Sequence, residues 1–289
     1  MSPKDNDPDP MNDEVSTGDG ADIRGLSSRR YERVMQRLMG RVQLSVAAHS
    51  DYLTVRRGQS AWHGGAPVSG PCVLREDGFF RVELLRLRDG QALPWPEGVL
   101  AQEVLLLQGA WASPSGGDDL TDCRRRDRYS YRVRRAAGQG TGLPPMPLLA
   151  RGDTQVYVRH LRVPIEQLPA LEARWWLRAL APQTQVEPDL SAWIASGPGV
   201  KVCLLSGDAQ VVSMLVRFEA GAGVNDHHHA LDEDCLVLEG EMFLGDILLQ
   251  PGDYQLAPAG GGHFGEFSDV GVLFFFHGAL DPVLRQPRP

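Results

Sequence analysis

The chain has 289 residues, which is long enough for two small domains with a well-buried core. Its formal net charge of −8 argues against a general nucleic-acid binder, and its four cysteines never form the Cys-x-x-Cys pairs of a zinc finger or a disulfide framework. No apolar run approaches the roughly eighteen residues of a membrane span and no hydrophobic signal core is present, so we expect a cytoplasmic protein.

The N-terminal region predicts a tail followed by one helix. Residues 1–27 combine acidic residues with prolines and almost no large apolar residues, a composition typical of a disordered acidic tail. Between residues 28 and 48, apolar side chains recur at helical spacing, which predicts an amphipathic helix. These apolar residues are Tyr31, Val34, Met35, Leu38, Val42 and Val46.

The rest of the chain predicts an all-β protein made by duplication. Residues 131 positions apart match without a gap, as in Trp62 with Trp193 and Gly109 with Gly240, which is the signature of an internal repeat. Many short apolar runs separated by Gly, Pro and Asp turns favour two jelly-roll barrels in tandem, at residues 50–180 and 190–283. A short helix over residues 165–180 and a linker over 181–189 would join the barrels.

The second barrel contains a candidate metal site. His227 and His229 are spaced i, i+2, so on a strand both side chains point to the same face while His228 points away. Glu233 has the parity to join them, and His263 would be the fourth ligand. Three imidazoles and one carboxylate suit one divalent transition metal ion, such as Zn, Fe, Mn or Ni, rather than Mg or Ca.

The first barrel lacks this site. The repeat aligns Pro96, Gly98 and Gln102 with His227, His229 and Glu233, and neither proline nor glycine has a side chain that can bind a metal. The nearest histidine, His160, has no potential co-ligands in the sequence around it. We therefore expect a metal in the second barrel alone, with the first barrel kept for packing, dimerisation or regulation.

The segment from Gly221 to Gly240 resembles the first motif of the cupin superfamily, Gly-x5-His-x-His-x3-Glu-x6-Gly, position by position. In the second motif Pro251-Gly252-Asp253 replaces the commoner Pro-x-Gly. The stretches that begin at Asp232 and Pro251 look like the cupin domain of ChrR-type anti-sigma factors. The resemblance implies a bicupin with one metal centre. ChrR-type proteins also carry an amino-terminal sigma-binding domain with a His-x3-Cys-x2-Cys zinc motif, which is absent from this sequence.

Three functions fit these observations. The first is an enzyme, a cupin dioxygenase or a related metal-dependent lyase, isomerase or hydrolase, acting on a small organic substrate. The second is a ChrR-like regulator that senses an oxidant or ligand at the metal and signals to a transcription partner such as a sigma factor. The third is a structural protein with an inert zinc. An enzyme needs an apolar cavity with a few polar groups over the metal, whereas a sensor can do without one.

Other features leave alternatives open. No catalytic residue is predicted, although Glu233 could switch between ligand and base. Cys235 shares strand parity with Glu233, but a small buried hydrophobe is the favoured interpretation. For Glu266 an exposed hairpin position is favoured over a hydrogen bond to a ligand imidazole. The arginines between residues 124 and 135 favour a solvated hairpin over a surface for an acidic partner or a nucleic-acid backbone. A homodimer through sheet edges is a mild expectation.

Overall fold

The computed structural model describes residues 28–48, 50–56, 70–112, 128–136, 147–180, 185–188 and 193–281. The predicted acidic tail and most of the predicted linker lie outside these residues. The chain divides into two compact units, residues 1–47 and 48–289. No described helix combines the length and apolar character that crossing a membrane would require.

Helices contribute little to the fold. Helix α1 covers Ser28–Ala48, and the predicted inter-domain helix is realised as a 3-10 turn at Ile165–Gln167 followed by α2 at Ala170–Ala179. Pro169 is the N-cap of α2. Because proline lacks the N–H that a helix interior needs, one continuous helix does not run through this position. The α2 residues Trp175 and Trp176 are fully buried and join an apolar cluster with residues of both β-rich halves.

The first β-rich half of the protein, from Cys72 to Val186, forms a six-stranded antiparallel sheet. Its strands are β2 (Cys72–Glu76), β3 (Phe80–Leu87), β4 (Ala101–Trp111), β5 (Tyr131–Arg135), β6 (Ala150–Leu161) and β7 (Gln185–Val186). Their order across the sheet is β2-β3-β6-β4-β5-β7.

The second half forms one large sheet and two small ones. The seven-stranded sheet consists of β1 (Leu53–Val55), β15 (Tyr254–Ala257), β12 (Glu233–Gly240), β18 (Val272–Ala279), β10 (Val211–Phe218), β9 (Val200–Gly207) and β8 (Ile194–Gly197), in that order. The small sheets are β11 (His227–His228) with β16 (Gly262–His263), and β14 (Ile247–Leu249) with β13 (Met242–Leu244) and β17 (Glu266–Phe267).

The two large sheets repeat one topology, which confirms the predicted all-β tandem architecture. In each half four strands lie side by side, and the two central ones are the second and the last of the four along the chain. Their order is β2-β3-β6-β4 in the first half and β9-β10-β18-β12 in the second. The register repeats too, because Val82 faces Arg159 in the first half and Ser213, 131 positions after Val82, faces His277 in the second. Residues of both sheets share one buried apolar cluster, so the two halves have a common core.

A buried polar cluster also joins the halves. The Arg159 side chain is 1 % exposed, and its guanidinium lies 3.4 Å from Glu103 and 3.0 Å from the His277 Nε2 atom. It also donates a hydrogen bond to Glu172 of α2. A buried charge is tolerated only when it is paired and hydrogen-bonded, as Arg159 is here.

The segment before the first half contributes to the second. Strand β1 pairs antiparallel with β15, placing Leu53 opposite Leu256. The predicted boundary at residue 50 would assign this strand to the first barrel, but its hydrogen bonds extend the large sheet of the second half. The N-terminal end of the unit is thereby brought close to the candidate metal site.

Two of the described arginines of the insertion contact other parts of the protein. Arg128 forms an ion pair with Glu239 of β12. The Arg134 guanidinium donates a hydrogen bond of 3.1 Å to the Gln102 Oε1 atom and lies over the Trp95 ring. The arginines at 124–126 lie outside the described residues.

Candidate metal centre

Strand alternation positions the histidines of the second half as the sequence predicts. His227 and His229 are each 3 % exposed, whereas His228 between them is exposed. His227 lies opposite His263 in the β11–β16 pair, and the His229 backbone N–H donates a hydrogen bond of 3.0 Å to the Gly261 carbonyl. Strands β11 and β16, with the residue that follows β11, therefore bring three imidazoles together.

Glu233, the first residue of β12, completes the group. Its Oε2 atom lies 3.4 Å from the His229 Nε2 atom and 4.0 Å from the His227 Nε2 atom. Its Oε1 atom lies 3.1 Å from the His263 Nε2 atom. The structure thus brings together all four side chains that the sequence analysis selected.

One hydrogen bond orients the His227 ring. The His227 Nδ1 atom lies 3.0 Å from the Asn225 carbonyl oxygen, so Nδ1 carries the proton and donates it. The lone pair is then on Nε2, which faces Glu233. Metal-binding histidines usually use their second nitrogen in this way, which fixes both the tautomer and the ring orientation.

The group fits a cation. Within the described residues, the buried His227 Nε2, His229 Nε2 and Glu233 Oε2 atoms have no hydrogen-bond partner. Leaving a buried polar atom unsatisfied costs about 1–3 kcal/mol, and a shared ion would remove that cost for all three atoms. Candidate ligand atoms of His227, His229 and Glu233 all lie within 4.8 Å of one another, so these residues could hold a metal ion. Imidazole nitrogen and carboxylate oxygen are suitable donors for a divalent transition metal.

The protonation of the group also suits metal binding. Burial lowers the pKa of His229 to about 4, against the opposing charge of Glu233, so this imidazole is neutral near pH 7. Burial raises the pKa of Glu233, while His229 and His227 oppose that rise. A metal must find its histidine ligands unprotonated, and His229 meets this condition without losing a proton.

Tyr52, the residue before β1, contacts this site through hydrogen bonds to Gly262. Its hydroxyl donates a hydrogen bond of 2.6 Å to the Gly262 carbonyl and accepts one of 2.9 Å from the Gly262 N–H. The edge of the ring contacts His263, with ring centroids 5.8 Å apart. Sequence reasoning did not select Tyr52, because its role depends on the pairing of β1 with β15.

An apolar cavity of about 120 Å³ lies against His227. Its walls include Val200, Met214, Val216, Phe218, Phe274 and Phe276, and His227 and Glu266 also line it. Glu266 is only 6 % exposed, and its Oε2 atom lies 4.0 Å from the His227 Nε2 atom. The prediction of an exposed hairpin glutamate is therefore wrong.

Cys235 of β12 and Tyr254 of the neighbouring strand β15 have structural roles. Cys235 is buried in an apolar cluster with its Sγ atom 4.0 Å from the Met242 Sδ atom, and burial raises the pKa of its thiol well above the usual value. This supports its interpretation as a small hydrophobe. Tyr254 is buried and its hydroxyl donates to Asp234.

In the first half, hydrogen bonds occupy the corresponding position. The Gln102 Nε2 atom donates a hydrogen bond of 2.8 Å to the Pro94 carbonyl and lies 3.3 Å from the His160 Nδ1 atom. The His160 Nε2 atom lies 3.0 Å from the Glu83 carboxyl group. His160 therefore has partners, but they form a buried hydrogen-bonded chain. In the described part of the protein, the group that could hold a metal lies in the second half.

Comparisons with known proteins agree with this architecture. A family model described as the ChrR cupin-like domain matches residues 182–281. No curated protein matches the chain in sequence.

Solved structures share the fold at low sequence identity. A candidate dioxygenase from Nostoc punctiforme is 14% identical with a TM-score of 0.53, over 81% of this chain and 84% of that one. A candidate glyoxylate-induced protein from Pseudomonas aeruginosa is 12% identical with a TM-score of 0.53, over 82% and 90%. The protein Ylba from E. coli is 14% identical with a TM-score of 0.51, over 79% and 90%. At these identities the likeness concerns the fold alone. The family model adds that residues 182–281 are similar in sequence to a ChrR cupin-like domain.

Proposed function

We propose that the protein is a metal-dependent enzyme that acts on a small organic substrate in its second half. The observation that carries this proposal is the apolar cavity that His227 and Glu266 line. An inert structural metal needs no such cavity, and a sensor can do without one. A mostly apolar pocket with a few convergent polar groups is instead the usual form of a small-molecule site.

His227, His229, Glu233 and His263 would hold one divalent transition metal. Such an ion supplies a Lewis acid for a substrate oxygen, or the means to activate dioxygen. The protein's contribution is to orient the substrate against apolar walls, to exclude bulk water, and to hold the Glu266 carboxyl group beside His227. Dioxygenase-like chemistry is the form of this proposal that the cupin resemblance suggests.

A regulatory role is the second candidate. The match of residues 182–281 to a ChrR cupin-like domain favours it, because the sequence resembles the cupin domain of ChrR-type anti-sigma factors. In that case an effector in the cavity would change the surface presented to a protein partner, such as a sigma factor. The same residues would hold the metal in both candidates.

Metal analysis separates these candidates first. Elemental mass spectrometry on protein purified without an affinity tag should find about one metal ion per chain, lost in His263→Ala. Iron or manganese together with oxygen uptake on small phenols or diketones would support the enzyme. Tightly held zinc with no turnover of such compounds would favour the regulator, and wild-type protein without metal would contradict both.

A further inference from the structure

We propose that the cavity of the second half selects a small uncharged molecule with one oxygen donor and discriminates against carboxylate anions. This inference rests on the proposed function, since it concerns the occupant of the same site. It follows from the size of the cavity, the chemistry of its walls and the charges that face His227.

The size of the cavity limits the occupant. Its volume of about 120 Å³ is slightly smaller than the roughly 150 Å³ of an apolar protein cavity that binds benzene. A ligand of about six heavy atoms therefore fills this volume, and a larger one would extend beyond it or rearrange the walls. Aromatic side chains form part of these walls, and Phe274 and Phe276 of β18 are almost fully buried.

The walls favour an apolar body. Most lining side chains are aliphatic or aromatic, and the polar ones are Ser196, His227, Glu266 and Asp281. Neither lysine nor arginine lines the cavity in the described part of the chain, whereas Glu266 and Asp281 do. An anion that entered would lose its hydration without gaining an ion pair with a basic side chain, which makes its transfer costly.

The charges near His227 lead to the same conclusion. A divalent cation held by imidazoles and Glu233 alone would carry one net positive charge and attract anions. Glu266 adds a second carboxyl group, whose Oε2 atom lies 4.0 Å from the His227 Nε2 atom, the same distance as the Glu233 Oε2 atom. Two carboxylates balance a divalent cation, so the attraction for an anionic ligand is cancelled while a neutral oxygen donor is unaffected.

The test compares two probes of the same shape, isobutyramide and isobutyrate, by calorimetric titration of the metal-loaded full-length protein. Wild type should bind the neutral amide at least about tenfold more tightly than the carboxylate. In Glu266→Gln this preference should narrow by about tenfold or reverse, because the site gains net positive charge. Glu219→Gln removes the same charge from an exposed position outside the cavity and should leave the preference unchanged.

A second variant tests the location. Val216→Phe fills the cavity without altering its charged end, so it should keep the metal and lose isobutyramide binding. Preference of wild type for isobutyrate, binding of neither probe, an unchanged preference in Glu266→Gln, or amide binding retained in Val216→Phe would each overturn the inference. If Glu266→Gln fails to hold metal, the wild-type preference and Val216→Phe decide. A wild type that contains metal but prefers isobutyrate refutes this inference alone, whereas absence of metal refutes the proposed function as well.

Discussion

His227 and His263 lie directly opposite each other in the antiparallel pair of β11 and β16, with ring centroids 5.6 Å apart. The candidate metal centre therefore depends on the register of two strands of two residues each. A slip by one residue would turn the side chains of a strand to the other face and would exchange a buried histidine for His228. Substitutions of residues that hold this register should therefore affect the metal centre most.

The first prediction concerns Gly262, the residue before His263. A Cβ atom at this position would lie 2.4 Å from the His227 carbonyl oxygen, and backbone at that distance must move. We expect Gly262→Ala to separate the strands, to destabilise the protein by about 1–3 kcal/mol, and to reduce bound metal. Metal content and urea unfolding would measure this. Gly197→Ala is the control, because its Cβ has nothing within 4 Å; equal metal retention in both variants would contradict the prediction.

The second prediction concerns the ligands. His229→Ala should lose the metal, and with it the stabilisation that a bound ligand gives, about 2.7 kcal/mol at a free metal concentration 100 times the Kd. His228 is an exposed neighbour, so His228→Ala should keep the metal and the stabilisation. Gln102→Met, in the first half, should also leave the metal content of the protein unchanged. Thermal unfolding with and without added metal measures the effect. Identical metal content and melting in His229→Ala and wild type would show that the ligand assignment is wrong.

The sequence predicted those parts of the protein that depend on local periodicity. Alternation along a strand is enough to place His227 and His229 on one buried face and His228 on the other. The offset of 131 residues is enough to predict the duplication, because Val82 and Ser213 then occupy equivalent positions in sheets of the same topology. These features were confirmed because each depends on one segment or on a comparison of two segments.

The features that the sequence did not predict depend on turns and on distant pairing. Glu266 is three residues after His263, so strand parity alone would place it on the opposite face. Gly265 adopts a φ of +68°, which glycine reaches easily, and the turn there resets the alternation before β17. The three-residue strand β1 carries no local signal that it pairs with β15, about two hundred residues later in the chain.

The third prediction tests the attachment of β1 through Tyr52. In Tyr52→Phe the Gly262 N–H and carbonyl lose the hydroxyl that bonds to both, at a cost of about 1 kcal/mol. We expect the protein to retain the metal less tightly, because Gly262, which bonds to the Tyr52 hydroxyl, precedes the candidate ligand His263. Competition with a chelator would measure it, with Tyr31→Phe on α1 as the control. Metal release at the wild-type rate would argue that Tyr52 does not support the centre.

The last prediction concerns pH and the buried cluster between the halves. Burial alone would raise the pKa of Glu172, but Arg159 and His277 outweigh it and lower the pKa to about 2, from an ordinary value of 4.5. A group with a depressed folded-state pKa contributes stability above its unfolded-state pKa and loses it as the pH falls toward the folded-state value.

Glu172→Gln should therefore destabilise the protein by about 3–5 kcal/mol near pH 7, because buried Arg159 loses its ion pair with Glu172 and keeps the longer one with Glu103. The difference from wild type should shrink as the pH falls from about 5 toward 2, where wild type also protonates this carboxylate. Urea unfolding across that range measures the difference, and Glu166→Gln, an exposed acid in the preceding turn, should show none. A difference that stays constant down to the lowest pH at which the protein is folded would mean that the Glu172 charge does not stabilise the junction of the two halves.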